Sequence, residues 1–179
     1  HPLQGDGRLV DGIAAERTLL GDLRESADLL IDTSQLNVHQ LRSRIETALG
    51  HGAARPVQVT VMSFGFKYGL PVDADFVVDC RFLPNPHWDP ELRPLTGQDE
   101  SVAQFVLRQP SAEPFLDSLA TTLRVVLDGY RAENKRYATI ALGCTGGKHR
   151  SVALSEELAR RIAGDDISIK VAHRDLGRE

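Results

Sequence analysis

Residues 137–151, with the sequence YATIALGCTGGKHRS, decide how this chain folds. The first half of the stretch is apolar and rich in residues that favour β-strands, which predicts a buried strand. The second half is a glycine-containing turn. Beyond it, apolar side chains recur every four positions at Leu154, Leu158 and Ile162, which is the spacing of one helix face. The stretch therefore predicts a strand, a tight loop and a helix in succession.

The predicted loop carries residues suited to binding an anion. Gly146 and Gly147 let the backbone approach a ligand without an intervening Cβ atom, and the loop amides and the helix N-terminus attract negative charge. Arg150 can bind a phosphate or a carboxylate through two N–H groups. We therefore predict a phosphate or other anion pocket formed by Cys144, Thr145, Gly146, Gly147, Lys148, His149, Arg150 and Ser151. The alternative is a plain strand–helix turn whose basic residues are solvated.

The rest of the sequence alternates predicted helices and strands. Helices are predicted at residues 9–27, 100–108, 111–131 and 152–163. A further helix is predicted to end at Leu49, with Ser34 or Asn37 as its N-cap. Further strands are predicted at residues 27–34, 57–63, 76–82 and 167–172, and residues 50–56 are predicted to link two domains. This alternation indicates an α/β fold with a mainly parallel sheet flanked by helices.

Three predicted strands end in loops that carry polar residues, glycines or prolines. In parallel sheets, ligands bind beyond the carboxyl ends of the strands. We therefore predict that Lys67, Arg81, Asn85 and His87 join the loop after residue 142 around one pocket. The alternative for Lys67 is a surface lysine, and the alternative for His87 is a ring packed on Trp88.

Composition limits the class of protein. A length of 179 residues suits one domain, or one domain with a piece of another. The net charge of −4 argues against general affinity for nucleic acids or membranes, so an RNA contact would need a local basic patch. Cys80 and Cys144 form no disulfide framework, which favours reduced thiols in a cytoplasm. Because Met62 is the only methionine, we expect the chain to be a fragment of a longer protein.

One enzymatic alternative follows from the loop sequence. Cys144, five intervening residues, Arg150 and Ser151 resemble the phosphate loop of cysteine-dependent tyrosine phosphatases. In that alternative Cys144 attacks phosphorus, Arg150 holds the phosphate and Asp89 protonates the leaving group, although Asp89 also suits a turn before a proline. The spacing of Cys and His matches no zinc site, and the 179 residues contain no G-x-x-x-x-G-K-[ST] nucleotide loop.

Several long motifs resemble the RapZ/YvcJ family of bacterial nucleotide-binding proteins, whose best-studied branch is an RNase adapter. The motifs are HPL at residues 1–3, ADLLIDTS at 27–34, SFGFKYG at 63–69, DCRFLPNPHW at 79–88 and GCTGGKHRS at 143–151. The resemblance implies that residues 1–55 are the end of a kinase-like P-loop domain plus a linker, with the ATP- or GTP- and Mg²⁺-binding segments upstream. Residues 56–179 would be a regulatory domain similar to the sugar-phosphate region of phosphofructokinase, with no cofactor of its own.

The resemblance also implies ligands for this domain. Family members sense an amino-sugar phosphate, glucosamine 6-phosphate, and Lys67, His87, Cys144, Thr145, Gly146 and Arg150 fall on the pocket motifs. The RNA-regulating branch binds small RNA and an RNase and forms homo-oligomers. That branch ends in a strongly basic tail, whereas this chain ends RDLGRE. Candidate RNA contacts are therefore limited to Arg160, Arg161, Lys170 and Arg174, beside Lys148 and Arg150.

Overall fold

The chain divides into two compact units, residues 1–53 and residues 54–179. The computed structural model describes residues 1–49 and 56–178 of these units. The linker predicted at residues 50–56 therefore lies outside the described residues, except for Pro56. In the described part of the chain no helix is long and apolar enough to cross a membrane.

The first unit is helical where it is described. Helix α1 spans Leu9–Leu19, α2 spans Gly21–Glu25 and α3 spans Val38–Ala48. The single helix predicted at residues 9–27 is thus interrupted at Leu20, next to Gly21, where a glycine weakens helical propensity. The residue that caps α3 is Asn37, whose side chain accepts the Gln40 N–H at 2.9 Å, while the Gln40 side chain accepts the Asn37 N–H at 2.9 Å.

The strand predicted at residues 27–34 was wrong. These residues form no strand, and Leu29 and Leu30 are 44% and 61% exposed. A strand needs a neighbouring strand for its backbone hydrogen bonds, and the described residues of this unit provide helices and turns only. The β-prone residues 27–34 therefore have no strand to pair with among the described residues of this unit.

The second unit is an α/β fold, as predicted. Its strands are β1 (Val57–Gly65), β2 (Phe76–Asp79), β3 (Tyr137–Cys144) and β4 (Ile167–His173), and its helices are α4 (Glu100–Leu107), α5 (Ala112–Ala132) and α6 (Arg150–Ile162). Within the described residues the strand order is β2-β3-β1-β4, and every pair is parallel. Helix α6 begins at Arg150 rather than at Val152, which places Arg150 in its first turn.

Strand β2 is shorter than the predicted strand at residues 76–82. It ends at Asp79, whose side chain accepts the Arg81 N–H at 2.8 Å and so forms a turn. The Leu83 N–H then bonds to the Cys80 carbonyl at 3.4 Å. Proline residues follow at once, and because proline has no N–H donor the strand cannot continue through them.

The hydrophobic core lies between the sheet and the helices. Val59 and Val61 of β1 and Ile140 and Leu142 of β3 are at most 1% exposed. Leucines of α5 and α6 cover them, namely Leu116, Leu123, Leu127, Leu154 and Leu158. Each such side chain contributes about 1.5–3 kcal/mol by leaving water. The core therefore holds the strands and α6 in one rigid frame.

This frame brings the strand ends together at one edge. Gly65, the last residue of β1, pairs in register with Cys144, the last residue of β3, and Asp79 pairs with Gly143. Gly143 must be a glycine, because a Cβ there would lie 2.4 Å from the Phe64 ring. The loops that follow β1, β2 and β3 therefore start side by side.

Candidate anion-binding site

A cavity of about 390 Å³ lies at the carboxyl edge of the sheet. It is lined by Lys67, Asn85, His87, Trp88, Arg93, Cys144, Thr145, Gly146, Lys148, His149 and Arg150. Nine of these residues belong to the predicted pocket set. Of that set, Arg81, Gly147 and Ser151 do not line the cavity, and Trp88 and Arg93 line it without having been predicted.

The loop after β3 lies directly on the end of β1. Gly147 has a φ of 78°, and a Cβ built there would lie 2.8 Å from the Gly65 nitrogen. A Cβ on Gly65 would in turn lie 2.6 Å from the Gly146 carbonyl carbon. The Lys67 N–H also donates to the Thr145 carbonyl at 3.2 Å. Gly147 thus lets the loop pack directly on the end of β1, because only glycine fits both this backbone conformation and the space available.

Cys144 is held at the base of the loop. Its Sγ atom accepts the Gly147 N–H at 3.2 Å and lies 3.1 Å from the Ser151 hydroxyl. The side chain is 3% exposed but lines the cavity. Gly147 and Ser151 therefore support the thiol and do not face the cavity themselves.

Arg150 is anchored through its Nη1 atom, while its Nε atom has no hydrogen-bond partner among the described residues. The residue is 5% exposed. Its Nη1 donates to the Arg81 carbonyl at 3.0 Å and to the Leu83 carbonyl at 2.8 Å, while its Nη2 lies 3.3 Å from the Thr145 hydroxyl. The buried Nε has no hydrogen-bond partner among the described residues. The Nε and Nη2 edge is thus a charged donor pair that needs an acceptor.

Lys67 adds a positive charge above the loop. A Cβ built on Gly146 would meet only the Lys67 side chain within 4 Å, with Cε and Nζ both at 3.8 Å. The ammonium is also 4.7 Å from the Tyr68 ring centroid, within the range of a cation–π contact. The Lys67 side chain therefore lies beside Gly146, and both line the same cavity as Arg150.

His149 occupies the N-cap position of α6, without a capping hydrogen bond from its side chain, and is 6% exposed. Its Nε2 lies 3.2 Å from the Arg93 carbonyl. Burial of the imidazole is the main cause that lowers the pKa of His149 below its ordinary value of 6.5, and the charges of Lys148 and His87 lower it further. The side chain is therefore neutral at pH 7 and acts as a positioned hydrogen-bonding group.

Arg81 contributes through its backbone. Its guanidinium bonds to Asp79, with Nη2 at 2.6 Å from Oδ2, and lies 4.0 Å from the Phe66 ring centroid. These hydrogen bonds lower the pKa of the Asp79 carboxyl. The Arg81 side chain is thus engaged away from the cavity, while its carbonyl holds Arg150.

Asp89 does not reach the cavity. Its Oδ1 accepts the Glu91 N–H at 2.9 Å, so it forms a turn. No Asp or Glu is among the described residues that line the cavity. The surroundings of Cys144 therefore provide positive charge but no carboxylic acid. The described residues also contain no cluster of His, Cys, Asp or Glu that could hold a metal ion.

The candidate RNA contacts lie elsewhere in the unit. Arg161 bonds to Glu113, Asp117 and Glu157, and Arg160 bonds to Glu157 at 2.7 Å. Arg174 bonds to Asp175 at 2.7 Å. Lys170 is exposed on β4. None of the four lines the cavity, although Arg174 Nη2 also donates to the Gly69 carbonyl at 2.7 Å, next to the turn that carries Lys67.

Asp175 is a supporting residue that the sequence did not suggest. Its side chain is fully buried, and it accepts the Gly65 N–H at 2.8 Å, Arg174 Nε at 3.0 Å and Arg178 Nη1 at 2.9 Å. Burial would raise the pKa of Asp175, but these hydrogen bonds outweigh it and hold the pKa below its ordinary value of 3.8. The C-terminal tail thereby fixes the end of β1 behind the loop.

Comparison with known proteins identifies both units. Residues 1–53 match the family model described as the RapZ-like N-terminal domain, and residues 57–177 match that of the RapZ C-terminal domain. The whole chain is 63% identical to a nucleotide-binding protein of Streptomyces coelicolor, covering 60% of that protein. It is 61% identical to one of Frankia alni, covering 62%, and 59% identical to one of Thermobifida fusca, covering 61%. The chain thus spans about three-fifths of the length of these relatives, and it belongs to the RapZ family of nucleotide-binding proteins.

Proposed function

We propose that residues 56–179 are the metabolite-sensing domain of a regulatory protein, and that the cavity binds a sugar phosphate of the glucosamine 6-phosphate type. The observation that carries this proposal is the Arg150 guanidinium. It is buried, its Nη1 side is committed to two carbonyls, and its Nε faces no acceptor among the described residues. A buried charged donor without a partner is costly, and two phosphate oxygens would satisfy this edge.

The phosphate is proposed to lie in the concave side of the loop. Thr145, Gly146, Lys148 and the start of α6 line the cavity at this point, and free backbone amides at a helix N-terminus favour an anion. Lys67 lies beside Gly146 and lines the same cavity as Arg150. Two positively charged side chains would therefore be near the phosphate.

The sugar is proposed to extend from the loop toward Asn85 and His87. Both residues line the cavity, and the Asn85 side chain already accepts the His87 N–H at 3.3 Å. Amide and imidazole groups can donate to hydroxyls or accept from an amine. This part of the cavity would then distinguish a sugar phosphate from phosphate alone.

We propose binding without turnover. The Cys144 Sγ atom accepts the Gly147 N–H and lies 3.1 Å from the Ser151 hydroxyl, so it is held in position at the loop, which favours the phosphatase alternative. A leaving-group acid is missing, however, because Asp89 forms a turn and no described carboxylate lines the cavity. A phosphate ester would therefore be held rather than cleaved.

Nucleotide and RNA binding are proposed for the longer protein. The relatives are named nucleotide-binding proteins, whereas the 179 residues lack the glycine-rich loop and lysine that hold a nucleotide phosphate. We assign that activity to a P-loop outside these residues. RNA binding by these residues should be weak, because Arg160, Arg161 and Arg174 are already paired with carboxylates.

The test is calorimetric titration of the 179-residue chain with glucosamine 6-phosphate. Arg150→Lys keeps the charge but cannot hold both carbonyls and the anion, so affinity should fall about ten- to a hundredfold, the equivalent of about 1.5–3 kcal/mol. Arg161→Lys is the control, because Arg161 is also ion-paired but lies outside the cavity. ATP with Mg²⁺ should give no heat of binding. Equal affinity of wild type and Arg150→Lys would refute the proposal.

A further inference from the structure

Trp88 is the most exposed aromatic side chain in the described part of the chain. It is 76% exposed and lines the rim of the cavity. Large aromatic side chains are normally mostly buried, so its position at a cavity mouth requires a reason. We propose that Trp88 is the stacking platform for the pyranose ring of the ligand, an inference that rests on the proposed sugar-phosphate site.

The turn that carries Trp88 is well fixed. Residues Pro86–Trp88 form a 3₁₀ turn, in which the Trp88 N–H donates to the Asn85 carbonyl at 3.2 Å. Pro86 is buried. The Arg93 Nε donates to the His87 carbonyl at 2.9 Å and ties the turn to the next segment. The indole is therefore presented on a short, hydrogen-bonded turn, so little conformational entropy is lost when a ligand contacts it.

Neighbouring rings restrict the indole further. The His87 and Trp88 rings are in edge contact, with centroids 5.6 Å apart and planes at 78°. The His87 and His149 rings are 6.4 Å apart. His149 occupies the N-cap position of α6 next to Arg150, so a line of rings runs from the anion loop to the rim. Because Arg150 and Trp88 line the same cavity, a ligand with its phosphate at Arg150 would extend its ring toward Trp88.

The two ends of the cavity, the anion loop and the rim at Trp88, differ in chemistry and suit the two parts of a sugar phosphate. The loop end carries amides and cations, while the rim carries an aromatic face of large apolar area. A pyranose presents C–H groups on one face and hydroxyls at its edges, so it can lie on the indole while Asn85 bonds to the hydroxyls. Aromatic side chains provide such contact area at low entropic cost. Trp88 would thus select a sugar phosphate over inorganic phosphate, which has no ring.

The chain offers a direct readout, because Trp88 is its only tryptophan. Titration with glucosamine 6-phosphate should change the tryptophan fluorescence, whereas inorganic phosphate should bind the loop with a smaller change. Calorimetry on Trp88→Ala should show about two- to tenfold weaker binding of the sugar phosphate and unchanged binding of inorganic phosphate. Trp88→Phe should retain part of the affinity. Tyr137→Ala is the control, because Tyr137 is 67% exposed and lies outside the cavity.

The outcomes separate the two proposals. If wild type binds neither ligand, the sugar-phosphate site is refuted, and the platform with it. If wild type and Trp88→Ala bind the sugar phosphate equally, or if Trp88→Ala weakens both ligands alike, the platform alone is refuted. If Trp88→Ala changes the oligomeric state in gel filtration and leaves sugar-phosphate affinity unchanged, the indole serves contact between copies of the chain and the platform is wrong.

Discussion

The substitution Gly147→Ala tests how the loop rests on the end of β1. Gly147 has a φ of 78°, and an L-residue in the left-handed region costs about 1–2 kcal/mol. The added Cβ would also lie 2.8 Å from the Gly65 nitrogen, 3.0 Å from the Phe64 carbonyl carbon and 3.1 Å from the Asp175 Cβ. Two of these neighbours are backbone atoms in a strand, which cannot move aside like a flexible side chain.

The backbone strain and the steric overlap of the added Cβ both lower the free energy of unfolding of Gly147→Ala. Overpacking of a tight site costs about 1–3 kcal/mol, so Gly147→Ala should lower the free energy of unfolding by about 2–5 kcal/mol in total. Urea unfolding with an m-value of about 2 kcal/mol per M would show a midpoint lowered by about 1 M or more. Affinity for glucosamine 6-phosphate should fall as well, because the loop amides shift.

Gly146→Ala is the matched control. Gly146 lies next to Gly147 in sequence, but its Cβ would meet only Lys67 side-chain atoms at 3.8 Å. The free energy of unfolding of the Gly146→Ala variant should change by about 0.5 kcal/mol or less. The added methyl group would enter the cavity, however, and should weaken ligand binding. An unchanged urea midpoint for Gly147→Ala would refute this account of the contact between the loop and β1. A destabilisation of Gly146→Ala equal to that of Gly147→Ala would refute it too.

Three further predictions concern the tail, the thiol and the basic residues. Because the pKa of Asp175 is lower in the folded than in the unfolded chain, its stabilisation is complete above about pH 4 and is lost as the pH falls below that value. Asp175→Asn should therefore destabilise the protein at pH 7 and remove part of the acid dependence of the urea midpoint; identical profiles would contradict this. Wild type should not hydrolyse p-nitrophenyl phosphate, and turnover that Cys144→Ser abolishes would establish the phosphatase instead. RNA binding should be weak and salt-dependent, so nanomolar affinity at physiological salt that survives neutralisation of Lys170 would refute the weak-binding prediction.

The sequence predicted those strands and helices whose local hydrophobic pattern matches their place in the sheet or against it. The apolar run before Cys144 and the helix after it are visible as periodicities. The convergence of Lys67 and His87 on the same edge follows from the parallel arrangement of strands. The strand predicted at residues 27–34 was wrong because strand formation depends on a neighbour, and β-propensity says nothing of whether one is present.

The details of the site depend on contacts between distant segments. That Arg150 donates to the Arg81 and Leu83 carbonyls could not be read from the sequence, because it requires the path of the proline-rich turn. Asp175 lies 110 residues from the Gly65 N–H that it accepts. The presence of Arg93 at the cavity likewise depends on the bond that ties it to the turn after Asn85. Trp88 could have been predicted at the cavity, because it directly follows the predicted pocket residue His87 in the sequence.

A crystal structure of the chain with glucosamine 6-phosphate bound would test the proposed role of Arg150 most directly. We expect two phosphate oxygens at about 2.7–2.9 Å from the Nε and Nη2 atoms of Arg150, with Nη1 still bonded to the carbonyls of Arg81 and Leu83. A phosphate bound at Arg160 and Arg161, or a ligand in the cavity that leaves the Arg150 Nε without an acceptor, would contradict it.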